Sequence, residues 1–267
     1  MKVKSNKFTS AQCPICLSQK CKFLYVKNKF NIFRCSYCLH VFVSPLPSEE
    51  EIKQFYDNKH KIEGGYNYFQ SYGTEYSPAM QEAVEFANKN LSKNASILDI
   101  GCGTGILLKL FQEQGFSNIV GCEISPEVLK NKVRENLDIR IGNIQELFKD
   151  EQFDFITAIY VFEHILNLSI FLNTVHRILK KDGFIFAEVP NIYGLGAKIR
   201  GKNWSNMKPP QHLNYFSKQS LQLMFLQKSF KIVSLTTPYP IPHHLILGNF
   251  IGRLGIGGHL RIIARKR

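Results

Sequence analysis

The chain of 267 residues has no apolar run of the roughly 18–20 residues that a membrane-spanning helix needs. Its first residues, MKVKSNKFTSAQC, are basic but lead into no apolar segment, so we expect no secretory signal peptide. Hydrophobic residues make up 44% and charged residues 21%, which is typical of a folded globular protein and not of a disordered one. These absences predict a cytoplasmic protein, in which cysteine thiols stay reduced.

Acidic residues are missing from both ends of the chain. Residues 1–48 contain eight lysines and arginines and residues 189–267 contain twelve, and neither segment has an aspartate or a glutamate. All 21 acids lie between residues 49 and 188. The net charge of +13 is therefore concentrated at the ends, which predicts that they face an anionic partner. A general basic bias in composition is the alternative explanation.

The seven cysteines are expected to be free thiols or metal ligands, because disulfides are rare in reducing compartments. Four of them form two C-x-x-C pairs that are separated by 18 residues, and this spacing is typical of a four-thiolate zinc site. The predicted metal ligands are Cys13, Cys16, Cys35 and Cys38. The aromatic and β-branched segment between the pairs predicts a hairpin that aligns them. Such a site leaves no open position for water, so its role is structural or in recognition.

Three zones follow from this reading. Residues 1–44 are predicted to be a zinc ribbon, and residues 45–95 a helical linker or lid whose first helix is capped by Ser48. From residue 96 to residue 267, strands and helices alternate, which predicts an α/β domain with a mostly parallel sheet. Strands are predicted at 96–100, 118–123, 138–142, 153–159, 183–188, near 231–237 and near 259–265. Helices are predicted at 104–114, 126–136, 168–180 and 217–229.

A glycine-rich loop follows the first of these strands, in SILDIGCGTG at residues 96–105. Glycine costs roughly 0.5–1 kcal/mol relative to alanine in a regular element, so three glycines in five positions indicate a sharp turn or a close approach to a ligand. The spacing is G-x-G-x-G, whereas many dinucleotide-binding loops have G-x-G-x-x-G. Two acids accompany the loop. Asp99 precedes its first glycine by two residues, and Glu123 ends the next strand, where it is placed to accept hydrogen bonds from a ribose.

At these residues the chain resembles the class I S-adenosylmethionine-dependent methyltransferases, over roughly residues 95–267. The segments LDIGCGTG, FDFITAIYVFEHI and ILKKDGFIFAEVPN carry the resemblance. It implies a Rossmann-like, seven-stranded, mostly parallel sheet with helices on both faces and S-adenosyl-L-methionine as cofactor. It also implies that the glycine loop approaches the methionine end of the cofactor, that Asp99 holds its amino group and that Glu123 holds its ribose. The residues assigned to the cofactor are Asp99, Gly101, Gly103, Gly105, Glu123, Asn143 and Tyr160. Asn143 stands where this superfamily often has an acid.

Two histidines are candidates for a catalytic base. His164 follows the fourth predicted strand, and His212 lies in the segment between the fifth and sixth strands, where this fold commonly builds its acceptor pocket. Histidine suits the task because its ordinary pKa is near neutrality. The alternative for both is a packed, hydrogen-bonded structural histidine. Trp204 is equally consistent with a pocket wall and with buried core.

The insert near residues 190–216 resembles that of a subgroup of these methyltransferases. Members often carry an N-terminal zinc ribbon, and many act in pathways for bacterial surface polysaccharides or secondary metabolites. The insert is basic and has no acid, which favours a phosphate-bearing acceptor. The residues predicted to bind substrate are Trp204, Lys202, Lys208 and Tyr215. The resulting hypothesis is O-methylation of a small anionic acceptor, such as a phosphate-bearing sugar or a surface-glycan precursor.

Two other functions remain open at this point. One is an RNA methyltransferase that holds its substrate with the basic ribbon, although no aromatic pocket motif for a flipped base is present. The other is a non-catalytic module that binds an anionic membrane face through its basic tail. The glycines of that tail make a poor amphipathic helix, and its last residues are better explained as a strand. The oligomeric state does not follow from the sequence.

Overall fold

The computed structural model describes residues 11–48, 50–52, 54, 77–126, 132–133, 136–238 and 255–267. Within them, two sheets account for all the strands. The strands are β1 (Cys21–Lys27), β2 (Phe30–Cys35), β3 (Val41–Val43), β4 (Ile97–Ile100), β5 (Ile119–Glu123), β6 (Ile139–Ile141), β7 (Phe153–Ile159), β8 (Leu179–Pro190), β9 (Asn214–Tyr215), β10 (Phe230–Thr236) and β11 (His259–Lys266). The helices are α1 (Pro78–Asn90), α2 (Ile106–Glu113), α3 (Ile144–Leu147), α4 (Leu168–Ile178), α5 (Leu195–Arg200) and α6 (Lys218–Leu226).

The larger sheet has seven strands in the order β10-β11-β8-β7-β4-β5-β6. The pairs from β8 through β6 are parallel, and β11 lies antiparallel between β8 and β10. The predicted seven-stranded, mostly parallel, Rossmann-like sheet is thus confirmed. Because β4, β5, β6, β7 and β8 run in the same direction, their carboxyl ends meet along one edge, and ligands of open parallel sheets bind at that edge.

Alternate residues of the central strands face opposite sides of this sheet, as the period of two in a strand requires. Ile97 and Phe155 pack with α1 and α2 in one apolar cluster. Leu98 and Ile156 pack with α4 and α6 in another. Helices therefore cover both faces, and the parallel strands are buried on both sides, which explains their continuous apolar sequences.

The smaller sheet has the order β1-β2-β3-β9 and is antiparallel throughout. Its first two strands form the predicted hairpin, closed by Asn28 and Lys29, both with positive φ, as a two-residue type I′ turn requires. Its fourth strand, β9, comes from the insert, far along the chain, where Tyr215 pairs with Val41. The sequence pattern does not indicate this strand, because two residues carry no periodicity.

Side-chain hydrogen bonds reinforce this junction between the N-terminal residues and the insert. Ser217 caps α6 and also donates its hydroxyl to the carbonyl of Cys38 at 3.0 Å. The hydroxyl of Tyr193 donates to the carbonyl of Leu39 at 3.2 Å. An apolar cluster that includes Trp204 lies between the two parts of the chain. The N-terminal sheet is therefore packed onto the segment that follows β8.

Most of the individual elements agree with the expectations from sequence. Each of the seven predicted strands of the larger sheet is present within a few residues of its expected bounds. Three of the four predicted helices correspond to α2, α4 and α6. The fourth, predicted at 126–136, falls largely outside the described residues, as does the tyrosine-rich part of the 45–95 zone. The side-chain oxygen of Ser48 accepts a hydrogen bond from the backbone N–H of Glu51 at 3.1 Å, and the backbone N–H of Ser48 donates to the Glu51 carboxylate at 2.7 Å, as in a capping box.

Part of the basic C-terminal segment is paired with acids of the middle segment. In β11, Arg261 contacts Glu188, and Arg265 lies 3.0 Å from the carboxylate of Asp182. The uneven charge along the sequence is thus partly neutralised within the fold. None of the helices among the described residues has the length and apolar character needed to cross a bilayer.

Candidate active site

The glycine loop lies at the carboxyl end of β4, and its three glycines have positive φ angles of +69°, +51° and +91°. Their surroundings differ. A Cβ on Gly101 would lie 2.8 Å from Val161 Cγ2, and one on Gly105 would lie 2.5 Å from Leu137 Cδ1. A Cβ on Gly103 would meet no described atom within 4 Å. A side chain at Gly101 or Gly105 would therefore have to displace neighbouring side chains of the protein, whereas the backbone of Gly103 borders open space that a ligand can fill.

Two carboxylates flank this loop, as the sequence predicts. Glu123 accepts hydrogen bonds from the backbone N–H groups of Gly103 at 3.3 Å and of Ile124 at 2.7 Å. Asp99 is 5% exposed and accepts a hydrogen bond from the hydroxyl of Thr157 at 2.6 Å. Burial raises the pKa of Asp99 to about 7, and the nearby Glu123 contributes to the increase. The structure thus brings the loop and both acids together at one edge of the sheet.

The other two residues assigned to the cofactor lie along the same edge. Asn143 is exposed just beyond β6, and its side chain caps α3 by accepting from the N–H of Gln145 at 3.2 Å. Tyr160 follows β7 with φ +57°, which is uncommon for a non-glycine residue and is concentrated at functional sites. Its hydroxyl donates to Glu188 at 2.9 Å. Contact of either residue with a cofactor stays a prediction.

A buried ion-pair network includes Glu188, the residue that accepts the hydrogen bond from the Tyr160 hydroxyl. The guanidinium of Arg261 lies 2.5 Å from the carboxylate of Glu188, and both side chains are 3% exposed. Arg261 also pairs with Glu82 of α1. Breaking such a buried pair by removing one partner costs about 3–5 kcal/mol, because the other charge is left buried and uncompensated. The network therefore fixes α1, β8 and β11 relative to one another beside the predicted cofactor site.

The two candidate catalytic histidines are brought together, although 48 positions separate them in the sequence. The rings of His164 and His212 lie edge to face with centroids 4.8 Å apart. His164 Nδ1 hydrogen-bonds to the carbonyl of Gln211 at 2.7 Å, so Nδ1 is the donor. Burial lowers the pKa of His164 to about 4 and that of His212 to about 2. Both imidazoles are therefore neutral near pH 7.

The residues predicted to bind substrate have different surroundings. Trp204 is 7% exposed and packs in the apolar cluster between the N-terminal sheet and the insert. Tyr215 is buried, and its hydroxyl donates to the carbonyl of His212 at 2.8 Å. Lys202 is exposed, whereas Lys208 is half-buried and close enough to influence the pKa of both histidines. A role in substrate binding stays a prediction for all four.

The four cysteines of the two C-x-x-C pairs converge at one point. Cys13 Sγ lies 3.5 Å from Cys38 Sγ, and Cys16 Sγ lies 3.4 Å from Cys35 Sγ. Four sulfurs bound to one zinc ion at about 2.3 Å are about 3.8 Å apart, so the spacing is close to what tetrahedral coordination requires. The residue after each pair has a positive φ, so the two turns share one geometry. The cluster is thus able to hold a metal ion.

Several residues of this region carry no clear signal in the sequence. Glu163 is 1% exposed and lies beside the histidine pair. Asn214 is buried, and its side-chain amide donates to the carbonyl of Ile165 at 2.7 Å. Glu188 is the last acid of the chain, so the sequence marks it as the boundary of the acid-free segment. The sequence does not indicate that Arg261 is its buried partner. Nothing in local spacing indicates these contacts.

Comparisons with known proteins bear on this arrangement. A family model described as a methyltransferase domain matches residues 69–235. Among curated proteins, an uncharacterised protein of Methanocaldococcus jannaschii is 33% identical over 159 residues, which cover 59% of each chain. A mitochondrial ubiquinone biosynthesis O-methyltransferase of Dictyostelium discoideum is 26% identical over 135 residues, which cover 41% of this chain and 42% of the relative. The chain thus spans about two fifths to three fifths of the length of these relatives.

A similar solved structure is that of a 1,6-didemethyltoxoflavin-N1-methyltransferase of Burkholderia thailandensis, crystallised with its substrate and S-adenosylhomocysteine. The two chains have a TM-score of 0.56 and 18% sequence identity, and the match covers 92% of this chain and 99% of the other. At this identity the likeness concerns the fold alone.

Asp99 makes the stability of the protein depend on pH in a way that can be measured. The pKa of this carboxyl is about 7 in the folded chain but about 4 in an unfolded one. Between these values the folded state holds a proton that the unfolded state has released, so the free energy of unfolding falls as pH rises from about 4 to about 7. We expect Asp99→Asn to remove the contribution of this carboxyl group to the pH-dependent decrease in the free energy of unfolding.

Urea unfolding at a series of pH values measures the effect. Thr157→Val serves as the matched variant, because loss of the hydroxyl that lowers the pKa of Asp99 extends the decrease to higher pH. Parallel profiles of Asp99→Asn and the wild type over pH 4 to 7 contradict the assignment of a raised pKa to Asp99.

Proposed function

Because this chain belongs to the family of methyltransferase domains, we propose that it transfers the methyl group of S-adenosyl-L-methionine to a small anionic acceptor. The observation that carries the proposal is the open space beside Gly103, flanked by Asp99 and Glu123. A backbone with no side chain there allows a ligand to approach the peptide closely. These residues fit the donor's chemistry, since it has an ammonium group at one end and a ribose diol at the other.

Each residue of this edge has a part in holding the donor. The carboxylate of Asp99 accepts from the donor's ammonium group, which favours the ionised form of a carboxyl that burial otherwise keeps partly protonated. Glu123 is placed to accept from the ribose hydroxyls, and Asn143 to accept from the adenine amino group. The bound sulfonium supplies an activated methyl group for in-line displacement, so the protein's task is to align the acceptor and exclude water.

The acceptor is proposed to lie beside the insert, near His164 and His212. Both imidazoles are neutral at neutral pH, so each keeps a nitrogen lone pair toward a ligand, but their low pKa values make them weak bases for the proton of an acceptor hydroxyl. Lys202 and Lys208 supply positive charge for a phosphate group, with which lysine forms charge-assisted hydrogen bonds. These features support O-methylation of a phosphate-bearing sugar or a related glycan precursor.

The four-cysteine cluster is proposed to hold one Zn²⁺ ion in a structural role. Four thiolates complete a tetrahedral shell, so no coordination position remains for water or substrate. The cluster also fixes the turn at residues 38–40, whose backbone carbonyls receive hydrogen bonds from Ser217 and Tyr193. The proposed ion thus stabilises the surface on which the insert packs.

Donor binding depends on the bare backbone at Gly103. We expect Gly103→Ala to weaken S-adenosylmethionine binding at least tenfold, because the added methyl group occupies the space proposed for the donor. Isothermal titration calorimetry measures the affinity. Gly115→Ala is the matched control, since Gly115 also has a positive φ, of +83°, and a Cβ there meets no described atom within 4 Å. Equal affinity of the two variants would sink the assignment of the loop.

The acceptor class is tested with pairs of compounds that differ only in a phosphate. We expect purified protein to methylate nucleotide-linked sugars or sugar phosphates and to act at least tenfold less efficiently on the dephosphorylated compounds. Lys208→Gln should reduce this preference, and Lys228→Gln should leave it unchanged, since Lys228 lies just after α6 and donates to the hydroxyl of Ser169. Activity on RNA that falls steeply with salt would instead favour the RNA methyltransferase hypothesis.

Measurement of the metal content tests the proposed four-cysteine zinc site. After a mild chelator has cleared weaker sites, we expect one zinc per chain in the wild type and its loss in Cys35→Ser, measured by inductively coupled plasma mass spectrometry. Cys21→Ser is the control, because the Cys21 thiol donates to the carbonyl of Ser18 and does not belong to the group of four sulfurs. A wild type without zinc, or zinc lost equally from both variants, is incompatible with the proposed ligand set.

A further inference from the structure

A second group of metal-ligating side chains lies beside the insert. It consists of one carboxylate and two imidazoles, from Glu163, His164 and His212, whose ligand atoms all lie within 4.8 Å of one another. Among the described residues, this group and the four cysteines are the two sets that are able to hold a metal ion. Two histidines and one carboxylate on one side of a cation form a ligand set that divalent transition metals use when other positions stay open.

Two of these side chains present buried polar atoms without a partner. Glu163 Oε2 and His212 Nδ1 are buried, and neither has a hydrogen-bond partner among the described residues. The two side chains belong to residues that are 1% and 4% exposed. Buried polar atoms are usually satisfied, and leaving one unpaired costs about 1–3 kcal/mol. The atoms therefore point to a ligand that the polypeptide does not supply.

The hydrogen bonds of the two imidazoles orient them as metal ligands. His164 Nδ1 donates to the carbonyl of Gln211, which leaves Nε2 with its lone pair. His212 hydrogen-bonds to the backbone of Asn206, and its Nδ1 is the unpartnered nitrogen. A backbone carbonyl that fixes one ring nitrogen of a histidine and leaves the other as ligand is the usual outer shell of a metal site.

We infer that Glu163, His164 and His212 form a binding site for a divalent transition-metal ion such as Zn²⁺ or Fe²⁺, separate from the four-cysteine cluster. Ligands at about 2.1 Å from one ion are about 3.0–3.4 Å apart, so binding draws the three side chains together. Glu163 is nearly fully buried, whereas His164 is half-buried, so the open coordination positions lie on the side of His164.

The role of this ion rests on the proposed function and deepens it. An ion bound next to the acceptor site takes a hydroxyl oxygen of the acceptor as a ligand and lowers the pKa of that hydroxyl. The hydroxyl proton leaves to solvent. The oxygen then forms a bond to the methyl carbon, and the sulfur–carbon bond breaks with its electron pair remaining on sulfur. The substrate class is therefore an alcohol with an oxygen that is able to bind a metal.

Cobalt binding tests the site without reference to activity. Protein purified with zinc is first treated with a mild chelator, so that the four-thiolate site keeps its zinc and the three-ligand site is cleared. Co²⁺ is then added, and near-ultraviolet and visible absorption are recorded. Cobalt bound by nitrogen and oxygen lacks the sulfur-to-metal charge-transfer bands of thiolate-bound cobalt, which separates this site from the cysteine cluster. We expect one equivalent to bind without those bands. Glu163→Gln and His212→Gln should each weaken this binding at least tenfold, and circular dichroism checks that each variant is folded.

His176→Gln is the matched control. His176 also has a buried ring nitrogen without a partner among the described residues, but it belongs to neither metal-ligating group. Its replacement should leave cobalt affinity unchanged. Lys208→Met should strengthen cobalt binding, because it removes a positive charge that acts on all three proposed ligands.

The site is refuted if the wild type binds no cobalt of the nitrogen–oxygen type, or if binding persists unchanged in both ligand variants. Weaker cobalt binding in Lys208→Met also refutes it, since loss of a nearby positive charge favours a cation. Calorimetry with S-adenosylmethionine is run on the same samples. Loss of donor binding with intact cobalt binding would refute the proposed function alone, and the reverse result would refute the metal site alone.

Discussion

The arrangement of the residues around Glu163, His164 and His212 depends on the buried amide of Asn214. Its oxygen receives a hydrogen bond from His40 Nε2 at 3.3 Å, and its nitrogen donates to the carbonyl of Ile165 at 2.7 Å. One side chain thereby ties the N-terminal sheet, the insert and the turn that carries Glu163 and His164. Because the amide is buried, loss of Asn214 leaves the His40 nitrogen and the Ile165 carbonyl unpaired, at about 1–3 kcal/mol each. The N-terminal sheet is thus a support for the site, through backbone pairing with β9 as well as through this amide.

Buried carboxyl groups dominate the electrostatics at the carboxyl ends of the parallel strands. Burial raises the pKa of Asp99 to about 7 and that of Glu163 to about 8, whereas Arg261 compensates the charge of Glu188. A positively charged ligand favours the ionised form of a buried carboxyl group and so offsets part of the cost of its ionisation. The donor proposed at Asp99 brings such a positive charge to this edge. Perturbed carboxyl groups clustered in this way are typical of functional sites.

Much of the larger domain was predictable because its determinants are local. Apolar runs bounded by turn residues indicated all seven strands, and the central strands β4 and β7 are buried on both faces of the sheet. The loop after β4 was predictable from three glycines and one acid. The surroundings of each glycine were not predictable. A Cβ on Gly101 or Gly105 would lie too close to Val161 or Leu137, whereas Gly103 borders open space. The spacing of the glycines indicates that glycine is needed, but it does not indicate which atoms lie next to each of them.

The sequence by itself determined the alternation of strands and helices, the position of the glycine loop and the four-cysteine cluster, because each is encoded by residues close together in the chain. Only the tertiary structure decided which distant residues meet. His40 and Asn214 are 174 positions apart, and Glu188 and Arg261 are 73 apart. The same holds for Glu163 and His212, whose free polar atoms point to a metal ion. The physical reason is that these contacts form only when the strands of the larger sheet pair and the insert packs on the N-terminal sheet. Periodicity along the chain does not indicate which strands pair or where the insert packs.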